Sequence, residues 1–463
     1  MFKKIIKSAL ILLSGILGGQ VFVVASSPIL TRLFSPEDFG AFGVYAATLY
    51  LIISISSFRY EVSIPLVAEE RDAANLAIAS IFIVIVFTFS LFLVVYVAGS
   101  FLFPRYADIF QWALPVGVMT AGIYNILINY SLRIGAHVKI AKTGLLQSFA
   151  GVVTQLGAGL LSMGLIGLIL GQIVGISSGI AGLSQGAVRR RLTKYFHIRD
   201  AFRVLIEQKN FAKYDAPSAF IAVANNHAPT LLVGILFSPV AAGLFFLVQR
   251  VVVIPFGIIS GAVSSSLLSH GREHNLNSQL YFLKKAISSL KVIIPTATVG
   301  ALAAKYGFSW VFGEQWSGGG AVAAWMILYS GQKFVFDSIS PILAMQAKQK
   351  LGLQMQFSLL FFRCAVLILV GILFGFQYGV IAFSIVSALS YFISALLILS
   401  NIDGRSGINI TLSVLDVVLP YIVIAAFSAY FLSQIWLTIV VLIYIAWTCF
   451  RIISFILINF PKK

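Results

Sequence analysis

Charged side chains inside long apolar runs are the residues of this chain best placed to do chemistry. Arg59, Glu61, Arg250, Lys291, Lys333, Asp337, Arg363 and Arg451 all fall within such runs. A charge at the centre of a spanning helix costs about 2.5–3.5 kcal/mol on insertion scales, so each needs a partner or a purpose. Arginine's planar fork can bond two oxygens of one anionic group, and it keeps its charge when buried. Arg250 is the foremost candidate. It lies nine residues from the outer end of its run, ~13 Å deep at 1.5 Å per residue, and no acid shares that run. Arg363 is similarly deep, about twelve residues from either end of its run. Lys333 and Asp337 stand at i,i+4, where they can neutralise each other; the sharper reading makes Asp337 a protonatable coupling group. Arg59 and Glu61 are two residues apart, which on a helix predicts nearly opposite faces and no mutual pair. Arg32, near the outer end of the first run, can meet an anion there or anchor the helix.

Other chemistries have little support. Cys364 and Cys449 both sit in apolar runs and offer neither a disulfide framework nor a thiolate metal site. His270 and His274 share i,i+4 spacing, but no ligand set surrounds them in sequence, so no metal is expected. Asn125, Asn129, Asn225 and Asn226 can bond sugar hydroxyls or neighbouring helices, and helix packing is the simpler reading.

The elements that must position these groups follow from composition. Of 463 residues, 59% are apolar and 10% charged, with a mean hydropathy of +0.99. Soluble globular chains are near half apolar and a quarter charged, so a water-soluble enzyme is excluded. Disorder and nucleic-acid binding are also excluded, despite the net charge of +17, because the basic residues lie between long apolar runs. A spanning helix needs ~20 mostly apolar residues. Fourteen runs qualify: 8–33, 38–66, 75–103, 109–132, 142–163, 165–187, 216–238, 241–269, 283–306, 319–346, 351–374, 377–399, 414–432 and 435–459. The basic N-terminus imitates a signal peptide, but its apolar stretch is longer than a typical h-region and reads as the first span. With the N-terminus in the cytoplasm, 23 of the 32 Lys and Arg residues fall on the inner side and 3 on the outer. Both termini are then cytoplasmic. The segment 188–215 mixes Arg and Lys with Tyr195, Phe196, Phe202, Leu205, Ile206 and Phe211. It reads either as an interfacial helix on an anionic leaflet or as a solvated positive linker.

The chain also repeats itself. LFSPEDFG at 33–40 returns as LFSPVAAG at 236–243, each joining the first and second helix of a six-helix block. Both strings fall on the outer face, which predicts two parallel six-helix blocks related by an axis along the membrane normal. Ser-Pro opens a turn and starts a helix, and Gly permits close packing, so these residues are structural by default. The expected architecture is an all-α polytopic membrane protein. It has an N-terminal lobe over 1–187 (spans 1–6), a cytoplasmic linker over 188–215, a C-terminal lobe over 216–400 (spans 7–12) and a further helix pair over 401–463 (spans 13–14). Twelve spans is the alternative count.

The stretch SPILTRLFSPEDFGAFGVYAATLYLIISISSFRYEVSIPLVAEERDAANL (27–76) resembles the opening of Wzx-type bacterial polysaccharide flippases of the MOP exporter superfamily. TRLFSPEDFG and FRYEVSIPL carry the likeness. FAKYDAPSAFIAVANNHAPTLLVGILFSPVAAGLFFLVQRVVVIP (211–255) looks like that family's mid-chain region, with Asn226, Pro229, Gly243, Gln249-Arg250 and Pro255 in place. The resemblance covers roughly the first 270 residues. It implies translocation of undecaprenyl-diphosphate-linked oligosaccharide repeat units, such as O-antigen units for lipopolysaccharide, across the bacterial inner membrane by alternating access. The usual count there is twelve spans; the pair at 414–459 resembles the arrangement in lipid II flippases of the same superfamily. On this reading Arg250, Arg363, Arg59, Arg32, Gln249 and Asn226 are candidates for binding the substrate. Asp337, Lys333 and Glu61 are candidates for coupling to protons or sodium. No cofactor, metal or nucleic acid is implied. The expected partners are the lipid-linked oligosaccharide, membrane lipids and other polysaccharide assembly proteins.

Three rivals make different demands. A cation-coupled multidrug exporter predicts acids deep in the first lobe, and spans one to six have none; Glu61 is near a span end. A polysaccharide polymerase or ligase predicts a large outer loop with arginines and a histidine, whereas the outer loops are short and lack histidine. A non-transporting scaffold is compatible with the composition.

Overall fold

The computed structural model describes residue 15 and residues 17–271, 307–346 and 348–400, and among these every regular element is helical. The expected spans 283–306, 414–432 and 435–459, and with them Lys291, His274, Asp416, Cys449 and Arg451, lie outside the described residues, as does the side chain of His270. The chain divides into two compact units, Met1–Phe246 and Leu247–Lys463. Among the described residues, eight helices are long and apolar enough to cross a membrane.

The first unit contains α1 (Leu17–Leu33), α2 (Pro36–Ser56), the single turn α3 (Tyr60–Ser63), α4 (Glu70–Leu102), α5 (Ala107–Arg133), α6 (His137–Leu160) and α7 (Gly164–Ser184). Two short helices follow, α8 (Ala187–Tyr195) and α9 (Ile198–Glu207). A π-helical turn, Phe211–Asp215, then leads into α10 (Ala216–Leu236) and α11 (Pro239–Val248). Helix α2 starts where its sequence dictates. The Ser35 side chain accepts from the Asp38 N–H (3.1 Å), the Asp38 carboxylate accepts from the Ser35 N–H (3.2 Å), and Pro36 occupies the first turn. The repeated string does the same job at α11, where Ser238 Oγ accepts from the Ala241 N–H (3.1 Å). Ala241 replaces Asp38, so the second copy keeps only half of the capping box.

The two repeats also touch each other. A Cβ on Gly40 would stand 1.8 Å from the Pro239 carbonyl oxygen, and one on Gly243 would stand 2.0 Å from that of Pro36. The contact is reciprocal, as a local twofold relation between equivalent strings requires. It brings helices together at backbone distance, the role small residues play in membrane bundles. Helices α2 and α10 then pack along their lengths, with Tyr50 stacked on His227 (ring centroids 4.7 Å).

Helix α4 is 33 residues long, about 50 Å, against a hydrocarbon core of ~30 Å. Its first turn, with Glu70 and Asp72, therefore extends beyond the apolar run. A buried cluster beneath it joins Ala73, Leu76, Ala77, Leu127, Tyr130, Leu183, Val188 and Val204. The linker segment is thus neither a free coil nor detached: α8 and α9 contribute Val188 and Val204 to the first unit's core.

In the second unit a π-helical turn (Gln249–Val253) passes into α12 (Ile254–Gly271). It is followed by a short 3-10 turn (Glu314–Trp316), α13 (Gly319–Ile339), α14 (Pro341–Met345), α15 (Gln349–Phe374) and α16 (Phe376–Ser400). Helix α13 is the hub, packing against α16, α12 and the π turn, and α15 packs along α16.

Candidate functional site

Two clusters of charge stand out, one in each unit. In the first, α2 ends at Ser56 because Phe58 (φ 49°) and Arg59 (φ 64°) turn left-handed. Bulky non-glycine residues rarely hold that conformation unless their surroundings fix it. This break corrects the expectation for Arg59 and Glu61. They are not on one helix, so the opposite-face argument fails, and Arg59 Nη1 lies 3.5 Å from Glu61 Oε1. Glu61 is buried, at 5% exposure, and its carboxylate also accepts from Ser57 Oγ. Arg59 Nε donates to Asp215 Oδ2 at 3.0 Å, across 156 residues of sequence. Arg59 therefore closes the break in α2 onto the π turn that starts α10. Asp215 went unnoticed in the sequence because nothing local marks so distant a partner.

The second cluster surrounds Arg363 on α15, which is 3% exposed. Its Nε donates to Ser387 Oγ (2.8 Å) and its Nη1 to Tyr391 Oη (2.9 Å). The guanidinium carbon is 4.8 Å from the Phe383 ring centroid, 5.1 Å from that of Tyr391 and 5.6 Å from that of Tyr329. Stacking on aromatic faces is one of the ways a desolvated guanidinium is stabilised. Lys333 on α13 stands 5.8 Å from the same Tyr391 ring and is ion-paired with Asp337 one turn on. The i,i+4 pairing read from sequence is present, and Tyr391 links it to Arg363. Sequence reading missed Ser387 and Tyr391. Their signal was there: Ser384, Ser387 and Tyr391 are polar residues at helical spacing in an otherwise apolar run.

Arg250 is 7% exposed and lies with Gln249 in the π turn that packs on α13. Single π turns inside helices mark functional positions often enough to single this one out. Gln249 is half-buried. Asn226 is exposed on α10, its amide donating to the Ala222 carbonyl (3.2 Å). Arg32 is exposed in the last turn of α1. The structure thus gathers Lys333, Asp337 and Arg363 in one place and Arg59 with Glu61 in another. No group of three or more metal-ligating residues occurs among the described residues.

Long apolar helices, charges buried between them and a repeat packed on its own copy define a multi-pass membrane protein. The fold is similar to that of a structure titled lipid II flippase MurJ, inward closed conformation, at 15% identity and a TM-score of 0.68, covering 96% of this chain and 98% of that one. It is also similar to an inward-facing multidrug resistance MATE family transporter of the MOP superfamily (13% identity, TM-score 0.59, covering 82% and 95%). A MOP superfamily transporter from Pyrococcus furiosus shares it as well (13%, TM-score 0.55, covering 86% and 95%). No curated protein sequence matches the chain. Residues 29–319 match the family described as polysaccharide biosynthesis protein, and the chain belongs to that family.

Proposed function

We propose that this protein is a flippase that carries undecaprenyl-diphosphate-linked oligosaccharide repeat units from the cytoplasmic to the periplasmic leaflet of a bacterial inner membrane by alternating access. Membership of a polysaccharide biosynthesis family and a fold shared with a lipid II flippase support this reading. The observation that carries it is electrostatic. The described span interiors of the second unit hold three cations, Arg250, Lys333 and Arg363, and one acid, Asp337. An excess of positive charge in apolar surroundings suits an anionic diphosphate headgroup, which must cross a medium that excludes it. In this scheme Arg250, with Gln249 beside it, binds phosphate in the membrane interior. Arg363 holds the cationic field in place, and Asn226 bonds sugar hydroxyls. Arg59 and Arg32 meet the headgroup near the two surfaces. The O-antigen class of cargo, proton or sodium coupling through Asp337 with Lys333 or through Glu61, cytoplasmic termini and contacts with other assembly proteins are parts of the same proposal.

The multidrug-exporter reading draws on the same fold. Against it, the first unit has no acid in mid-span. Its acids lie at helix starts, in the linker segment or, for Glu61, in the break after α2.

The test is translocation of a fluorescent lipid-linked oligosaccharide between the leaflets of reconstituted vesicles, read as protection of its headgroup from a quencher added outside. Arg250→Ala is expected to slow translocation by roughly 10–100-fold, the equivalent of one or two charge-assisted hydrogen bonds. Arg250→Lys is expected to restore part of the rate. An unchanged rate for Arg250→Ala would overturn the phosphate assignment, and export of cationic drugs without oligosaccharide transport would overturn the cargo.

A further inference from the structure

Helix α9 has two apolar faces. One is accounted for: Ala201 and Val204 are buried and Leu205 packs against the first unit's core. The other is Ile198, Phe202 and Ile206, at i, i+4 and i+8, each more than 60% exposed. Phe196 just before α9 and Tyr214 just after it are exposed too.

The position of α9 is fixed. Arg203 bonds Asp72 (2.7 Å), Arg71 bonds Asp200 (2.6 Å) and Arg191 of α8 bonds Glu70 (2.6 Å). The His197 N–H donates to Asn75 Oδ1 (2.7 Å). All four contacts fall in the first two turns of α4, where that helix passes from its charged start into its apolar run. The helix is therefore held at the level where a spanning helix enters the membrane, with a second apolar stripe that no residue of its own unit covers.

Charge says what covers it. The ion pairs above use Arg191 and Arg203 and leave Arg199 exposed on α9 beside the stripe and Arg189, Arg190, Lys194, Lys209 and Lys213 exposed in the segments flanking it. An amphipathic helix with an apolar stripe and a basic rim fits an anionic leaflet: the stripe enters the acyl boundary and the cations meet headgroup phosphates. A folded protein partner of this charge pattern would have to offer an acidic rim around an apolar groove, a narrower requirement than the membrane already present at that level.

We infer that α9 seats on the anionic lipid surface of the leaflet at which α4 begins, with Ile198, Phe202 and Ile206 inserted and the basic rim on headgroups. The inference rests on the membrane assignment and not on the cargo. Its readout is depth in the bilayer, so its failure and a failure of the transport reading are distinguishable.

The experiment uses the full chain with Cys364→Ser and Cys449→Ser, carrying a nitroxide on Phe202→Cys or, in parallel, Glu207→Cys. The protein is reconstituted in vesicles of phosphatidylethanolamine and phosphatidylglycerol. The label at 202 is expected to relax more with oxygen than with a water-soluble nickel chelate, and the label at 207 to do the reverse. In phosphatidylcholine vesicles nickel access at 202 should rise by about twofold, and changing Arg189, Arg190, Lys194 and Arg199 to Gln should abolish that lipid dependence. Equal nickel access at 202 and 207 would overturn the inference. So would protection of 202 that appears only when a soluble protein is added, or that is the same in both lipids. Gel filtration of each labelled protein checks that it is folded.

Discussion

In the first unit, charges meet acids at the ends of helices: Arg59 with Glu61 and Asp215, Arg71 with Asp200, Arg191 with Glu70, Arg203 with Asp72. In the second, Arg363 is held by two hydroxyls and three rings within the span, and Lys333 shares one of those rings while pairing with Asp337. The contrast separates two uses of charge in a membrane protein. Near helix ends, ion pairs tie distant pieces of chain together, and those open to solvent add at most about 1 kcal/mol each. Inside the span a buried cation carries a desolvation cost, which the proposed function ascribes to an anionic cargo. On that proposal the first unit's ion pairs fasten the chain, Arg59 and Glu61 doing so beside the roles proposed for them, and the second unit's cations serve the cargo.

If fastening is the first unit's business, its largest sensitivity should be to packing. Gly40→Ala puts a methyl group on the Pro239 carbonyl, backbone against backbone, with no flexible side chain to give way. A loss of about 3 kcal/mol is expected, seen as a large fall in Tm in detergent, and Gly243→Ala should match it because the contact is reciprocal. Gly157→Ala, with nothing within 4 Å of the added carbon, should be neutral. A stable Gly40→Ala protein would dissolve the repeat contact.

Arg363→Ala is next. It removes two charge-assisted hydrogen bonds and leaves the Ser387 and Tyr391 hydroxyls buried without them, an expected loss of about 2–3 kcal/mol. Arg363→Lys keeps the charge but not the fork. If the second unit's cations serve chemistry, Arg363→Lys should retain transport better than the neutral Arg363→Gln at similar Tm. Transport that simply tracks Tm across the three variants would make Arg363 a packing residue and collapse the contrast.

Much of this was legible in the sequence, and the failures have causes. Spans were readable because lipid imposes one long apolar signature. Helix α2 begins one residue after its cap, as Ser35-Pro36 dictates. The Lys333–Asp337 pair was readable because i,i+4 geometry is local. Arg59 and Glu61 were misread because a helix was assumed through residues 58 and 59, and nothing in Phe-Arg signals a left-handed turn. Tertiary bonds to Asp215 hold that conformation, and such bonds leave no trace in a local window. The linker's helices were half-legible: its amphipathic pattern was visible, but not that Val188 and Val204 face a core supplied by α4 and α5.

The Lys333–Asp337 pair distinguishes coupling from simple neutralisation. Asp337→Asn leaves Lys333 beside the Tyr391 ring without its carboxylate, an expected loss of about 1 kcal/mol. If the pair only balances charge, the double change Lys333→Gln with Asp337→Asn should recover both Tm and transport. If Asp337 carries a coupling ion, Tm recovers and transport does not, and its dependence on an imposed proton or sodium gradient disappears. The second outcome would place the coupling step beside Arg363 and widen the gap between the two units.

The smallest effect belongs to the first unit's surface. The Arg203 side chain is 53% exposed and Asp72 12%, so solvent screens one partner far more than the other. Arg203→Gln is expected to lower stability by about 0.2–1 kcal/mol, measured as a Tm shift that shrinks in high salt. Because Asp200 also lies 3.8 Å from Arg203 while bonding Arg71, the pairs form a short network. A double-mutant cycle of Asp72→Asn with Arg203→Gln should therefore return a coupling smaller than the single changes suggest, as the remaining charges rearrange. Transport should stay near the unmodified rate throughout. A transport defect without a Tm shift would mean that charge at this edge does more than fasten, and the line drawn between the two units would then run through the first of them.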